Sequence, residues 1–97
     1  MKKVVGYAHL KPAGEGYDLM YLYVAPEYRR RGIAKEIMNG LINFAEKRGK
    51  NITLEVRKSN CNAIDLYTGL GFKKISERKR YYSDGEDAWI MCLTELR

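Results

Sequence analysis

Hydrophobic and polar positions along this chain alternate as in strands, break into a helical spacing, and return to alternation. The run "KKVVGYAHLK" (2–11) is rich in β-forming residues, "PAGEG" (12–16) carries turn chemistry, and "YDLMYLYVA" (17–25) resumes the β pattern. Together they predict a hairpin. In its second strand both alternating sets, Leu19-Tyr21-Tyr23 and Met20-Leu22-Val24, are apolar or aromatic. That pattern predicts a strand inside the sheet and covered on both faces.

From Ile33 the apolar residues fall in two i, i+4 rows, Ile33-Ile37-Leu41-Ala45 and Ala34-Met38-Ile42, which predicts a helix ending at Gly49. Gly40 within it reads as a close-packing point. "NITLEVR" (51–57) then alternates strictly, with Ile52, Leu54 and Val56 on one face and Thr53, Glu55 and Arg57 on the other. Strand, helix and strand in so short a span predict a βαβ unit with parallel strands. "SNCNAIDLYTGLGF" (59–72) reads as a short helix with Ser59, Asn60 and Asn62 as possible caps and Gly69 and Gly71 closing it. "FKKISERKRYY" and "EDAWIMCLTEL" read as two strands joined through "SDGE" (83–86), since Asp-Gly is a hairpin signal. The expected fold is α/β, a single domain over 1–97 in the order β-β-α-β-α-β-β, with a mixed sheet.

Composition narrows the class. At 97 residues the core is thin, and 45% hydrophobic with 31% charged residues describes a globular domain. No window reaches a membrane-spanning length and "MKK" leads into a strand, so a cytoplasmic protein with no membrane partner is expected. Cys61 and Cys92 have no CxxC spacing and no histidine cluster, which predicts free thiols and no metal site. His9 is expected to be structural or on the surface.

A net charge of +6 and a pI near 9.4 favour an anionic partner. The cations are concentrated where they matter. Arg29, Arg30, Arg31 and Lys35 surround Gly32 at a predicted helix start, where the helix dipole disfavours positive side chains. An anion seated on the unpaired N–H groups there removes the conflict, and glycine lets it approach the backbone. The stretch is neither a GxxxxGK[ST] loop nor GxGxxG.

Arg29, Gly32 and Ala34 form R-x-x-G-x-A, which resembles the acyl-CoA pyrophosphate loop, Q/R-x-x-G-x-G/A, of the GNAT acetyltransferase superfamily. "LEVRKSNCNAIDLYTGLGF" (54–72) is similar to the LEVR-SN-AI-LY-GF block of RimI-type enzymes. "YYSDGEDAWIM" (81–91) is similar to the YY-DGEDA-M block of archaeal and NatA-type amino-terminal acetyltransferases. The strand "LYVAPEYRRRGIA" is similar to the one leading into the family's loop. The resemblance covers roughly residues 17–97 and implies a shortened GNAT fold, since relatives begin with a strand and two helices that have no counterpart before Lys2.

The resemblance implies acetyl-CoA as acetyl donor and a protein or peptide amino terminus as acceptor, joined by direct transfer in a ternary complex. It implies that the backbone of Leu22, Tyr23 and Val24 pairs with the pantetheine arm. Arg30, Arg31, Gly32, Ile33, Ala34 and Lys35 would cradle the pyrophosphate, and Asn60 would contact the cofactor. Glu55 would be the general base and Tyr67 the general acid, with Tyr81 and Tyr82 at the start of the acceptor peptide. The chemistry accords: an α-amino group with a pKa of about 8 must lose a proton before attack, and a departing thiolate must gain one. Spacing alone leaves Glu55 as a polar residue on an exposed strand face and Tyr67 as a half-buried packing residue. Their combination with Asn60 after a matching loop is what favours the catalytic reading.

Two other readings stand beside it: a non-catalytic acyl-CoA-binding module, and a transferase acting on lysine or a small amine. A nucleic-acid partner is disfavoured because the cations gather at a helix start and form no aromatic-interleaved patch. Without the family's N-terminal helices, apolar sheet surface is expected to lie bare, covered by a second copy or a partner chain.

Overall fold

The computed structural model describes residues 5–93. Strands β1 (Gly6–Ala13) and β2 (Gly16–Val24) form the hairpin, and a short turn of 3-10 helix, Pro26–Tyr28, leads into helix α1 (Ile33–Glu46). Strand β3 (Ile52–Arg57), helix α2 (Cys61–Gly69) and strands β4 (Lys73–Arg78) and β5 (Ala88–Leu93) complete the order expected from the sequence. The five strands lie as β1-β2-β3-β5-β4. The β2–β3 pair is parallel and bridged by α1, while the other neighbours are antiparallel. The fold is therefore a mixed α/β sheet built round a βαβ unit.

Both helices pack on one face. Met38, Ile42 and Ala45 of α1 and Tyr67 of α2 share a buried cluster with Leu19, Ile52, Leu54, Val56, Phe72 and Met91. The i, i+4 rows thus point where their spacing requires. Helix α1 stops at Glu46, short of Gly49, because its last carbonyls are taken up by a tight turn: the Lys50 N–H donates to the Ala45 carbonyl and the Gly49 N–H to that of Glu46. Gly40 is exposed, with open space where a Cβ would stand, so it marks no close packing.

Strand β2 lies inside the sheet as expected but is not covered on both faces. His9 pairs with Tyr21 and Leu10 with Leu19, leaving Met20 as an extra residue in a β-bulge. The bulge switches the phase of alternation, so Leu19, Leu22 and Val24 all turn toward the helices although they belong to different alternating sets. Met20, Tyr21 and Tyr23 are 49%, 53% and 40% exposed, whereas Leu19 and Val24 are buried. Tyr7, exposed on β1, meets Tyr21 edge-on with ring centroids 5.8 Å apart, and exposed His9 lies 5.4 Å from Tyr21. This aromatic face has no helix over it among the described residues.

The bulge also ends the parallel ladder. Pairing of β2 with β3 runs only from Tyr17–Ile52 to Leu19–Leu54. Past Met20, β2 keeps β1 on one side and has no strand on the other among the described residues, and the stronger twist of a bulged strand carries it away from β3.

The β4–β5 connection differs from the expected tight hairpin. Strand β4 ends at Arg78, and residues 79–87 form a longer loop that carries Tyr81 and Tyr82. The Asp84-Gly85 turn lies within this loop, where the Gly85 N–H donates to the Tyr82 carbonyl at 2.8 Å and the Tyr82 N–H to the Glu86 carbonyl at 3.1 Å. It shapes the loop and does not join the strands.

Candidate active site

Where β2 and β3 part, a cavity opens on each side. The larger, about 930 Å³, lies between the end of β2, the arginine turn and the starts of both helices. Leu22, Tyr23 and Val24 form its strand wall. Arg30, Gly32, Ile33, Ala34 and Lys35 form its end, and Asn60 stands across from them.

The end wall is built to face an anion. Gly32 caps α1 in the left-handed region (φ 78°, ψ 9°) and no side chain caps the helix, so the N–H groups of its first turn have no intrahelical partner. Arg30 is also left-handed, at φ 64°, a strained conformation for a residue with a Cβ. Two such residues flanking Arg31 turn successive amides toward one concavity, which the helix dipole makes electropositive. The Nε of Arg29 donates to the Val24 carbonyl at 2.8 Å and ties the turn to the strand end. Arg31 is the one expected cradle residue that does not line the cavity; its guanidinium lies over the Tyr28 ring, 5.3 Å from the centroid.

Helix α2 supplies the opposite wall. The side-chain Oδ1 of Asn60 accepts from the Ala63 N–H at 3.3 Å, so the side chain that borders the cavity also caps the helix. Asn62, Ala63 and Leu66 continue this wall, and Tyr28 closes the far side. The sequence offers none of these four as a site residue. The spacing of Ala63 and Leu66, one helical turn apart, was the available signal.

The second cavity, about 560 Å³, opens toward the bare face. Asp18, Leu19 and Met20 of β2 border it on one side and Thr53 and Glu55 of β3 on the other. Glu55 stands in a compact polar group. Its Oε1 accepts from the Tyr81 hydroxyl at 2.9 Å, and its Oε2 lies 3.6 Å from Arg78 Nε. The hydrogen bond to this carboxylate, followed by its charge, pushes the Tyr81 phenol up, so it remains a donor. Tyr82 packs edge-on against Tyr81, with centroids 5.2 Å apart, and both line the cavity together with Ile90. The structure thus brings Glu55, Tyr81 and Tyr82 together.

Tyr67 lies elsewhere. The residue is 7% exposed, its ring packs in the core with its centroid 5.7 Å from that of Phe72, and it lines neither cavity. Burial pushes its hydroxyl above the ordinary tyrosine value.

Residues 1–72 match the family model described as "Acetyltransferase (GNAT) family". The chain is 40% identical over 95 residues to the [ribosomal protein bS18]-alanine N-acetyltransferase of Escherichia coli, spanning 94% of this chain and 64% of that protein. It is 46% identical over 71 residues to an N-alpha-acetyltransferase of Saccharolobus solfataricus, spanning 71% of this chain and 42% of that one. The crystal structure of the ribosomal-protein-S18-alanine N-acetyltransferase from Escherichia coli superposes with a TM-score of 0.85 at 40% identity, covering 92% of this chain and 60% of the other. The chain spans less than two thirds of the length of these relatives. With the family model matching most of its residues and the fold agreeing, the chain belongs to the acetyltransferase (GNAT) family.

Proposed function

We propose that this chain transfers an acetyl group from acetyl-CoA to an α-amino group at the start of a protein, by direct attack with both substrates bound. The observation that carries the reading is the parting of β2 from β3, which gives an electropositive groove and a carboxylate-bearing pocket access to one gap.

The unpaired edge of β2 from Leu22 to Val24 receives the pantetheine arm as an added strand, and the first turn of α1 with Gly32, Arg30 and Lys35 receives the pyrophosphate. Arg31 acts as a peripheral charge. Glu55 accepts the proton that the α-ammonium group must shed, its carboxylate held in place by Tyr81 and Arg78. The freed amine attacks the thioester carbonyl carbon, the C–N bond forms, the C–S bond breaks, the thiolate takes a proton from Tyr67, and the second proton shed by the nitrogen restores the Tyr67 phenol by way of water. Burial keeps that phenol protonated until the thiolate forms. Tyr81 and Tyr82 border the space for the first residues of the acceptor, for which alanine is the natural first choice given the bS18-alanine relative.

We further assign the bare aromatic face, with Tyr7, Tyr21 and Tyr23, to cover by a second copy or a partner chain. The free thiols Cys61 and Cys92 accord with a reducing, cytoplasmic setting. Sedimentation as a well-folded monomer at micromolar concentration counts against the second copy.

Calorimetry with acetyl-CoA, followed by CoA-release assays on peptides that differ in their first residue, tests the main reading. Saturable binding and turnover that is lost in Glu55→Gln and Tyr67→Phe are expected. Binding without turnover points to an acyl-CoA-binding module, the reading favoured by the absence of Tyr67 from the lining of both cavities, and absence of binding sinks both.

A further inference from the structure

The loop 79–87 carries two of the acceptor-pocket residues, yet it is neither strand nor helix. Something must hold it. Arg57 lies two residues beyond Glu55 on β3 and on the same face, about 7 Å along the strand. One terminal nitrogen of its guanidinium donates to Asp84 Oδ2 at 2.8 Å and to Glu86 Oε1 at 3.0 Å, while the group lies 4.0 Å from the centroid of the Tyr82 ring. Glu86 is a second tie: its Oε2 accepts from the Ser59 N–H at 2.9 Å, beside Asn60, which caps α2 and borders the larger cavity. The Glu86 N–H donates in turn to Asp84 Oδ1 at 3.0 Å.

We infer that Arg57 is a positioning residue: clamped by Asp84 and Glu86 and stacked on Tyr82, it fixes the loop so that the Tyr81 hydroxyl meets Glu55 and the acceptor pocket keeps its shape. The inference rests on the acetyl-transfer reading of that pocket. The same strand thus presents the base and, one pleat further on, the anchor of the wall facing it. Exposed ion pairs add little to global stability, so the purpose of this cluster is placement more than folding. It also joins the acceptor wall to the start of α2, so the two sides of the gap share a support.

The test compares Arg57→Gln and Arg57→Lys with the unaltered chain, using acetyl-CoA and a peptide that begins with alanine. Arg57→Gln is expected to raise the KM for the peptide about tenfold while the acetyl-CoA Kd stays within about twofold. Arg57→Lys should recover part of that loss, and amide exchange across 79–87 should speed up in the glutamine variant. An unchanged peptide KM, or a peptide KM and acetyl-CoA Kd that worsen together with a lowered Tm, overturns the inference. If the unaltered chain turns over no peptide, the fault lies with the acetyl-transfer reading; amide exchange then decides, and unchanged exchange across 79–87 overturns the clamp.

Discussion

The two cavities lie on either side of one gap but are built differently. The larger takes its strand wall and its end from a single stretch, Leu22 to Lys35, and includes an uncapped helix start, two left-handed residues and a strand edge with no strand beside it among the described residues. The smaller draws on four strands and a loop, and presents side chains whose positions depend on one another. A site made of local backbone is set by a short motif. A site made of distant side chains is set by the fold, and by ties such as Arg57 to Glu86 that no spacing rule describes.

If the division holds, the deepest cut is Glu55→Gln. It should lower turnover by about 10²- to 10⁴-fold, the range for a general base, with acetyl-CoA affinity by calorimetry unchanged. Gly32→Ala should do the reverse. Holding alanine at φ 78° strains the helix start, so acetyl-CoA is expected to bind about tenfold more weakly while peptide selectivity is kept. A smaller effect separates two neighbouring arginines. Arg30→Ala should weaken acetyl-CoA binding about two- to fivefold in a salt-dependent way, and Arg31→Ala less than about twofold, because only Arg30 borders the groove.

The smallest effect is one of pH. Asp84 is held below its ordinary value chiefly by the Glu86 N–H, Glu86 by the Ser59 side chain and then Arg57, and Asp87 by the Arg80 N–H. Groups with lowered folded-state values contribute fully above the ordinary carboxylate range, and the contribution is lost as pH falls through those lower values. Protection of the 79–87 amides should therefore drop in acid before that of the core strands, while the arginines of the groove stay charged. Equal loss in the loop and the core would erase the distinction between the two regions.

Sequence patterning disclosed the larger cavity more fully than the smaller. The i, i+4 rows of α1, the strict alternation of β3 and the crowded cations at Gly32 all act within a few residues of one another, so period and motif report them. The bulge at Met20 does not show in this way. It makes Leu19 and Leu22 share a face, and from sequence the result is indistinguishable from a strand apolar on both sides. The Asp84-Gly85 pair has the chemistry of a hairpin but is pulled into a broader loop by Arg57 and Ser59, partners far away in the chain. Resemblance to known enzymes singled out Glu55, Tyr81 and Tyr82, and the structure supplies the contacts that join them. Resemblance singles out Tyr67 in the same way, whereas spacing alone reads it as a packing residue, and its position against Phe72 in the core accords with that second reading.

The bulge in β2 comes down to one residue, Met20. Remove that one letter from β2 and Leu19, Tyr21, Leu22, Tyr23 and Val24 become an ordinary alternating strand, with every side chain on the face it already occupies. The shortened strand would zip further along β3 and seal the gap between the two cavities. The expected protein melts at a higher temperature and no longer binds acetyl-CoA: a better sheet, and no room left for a reaction.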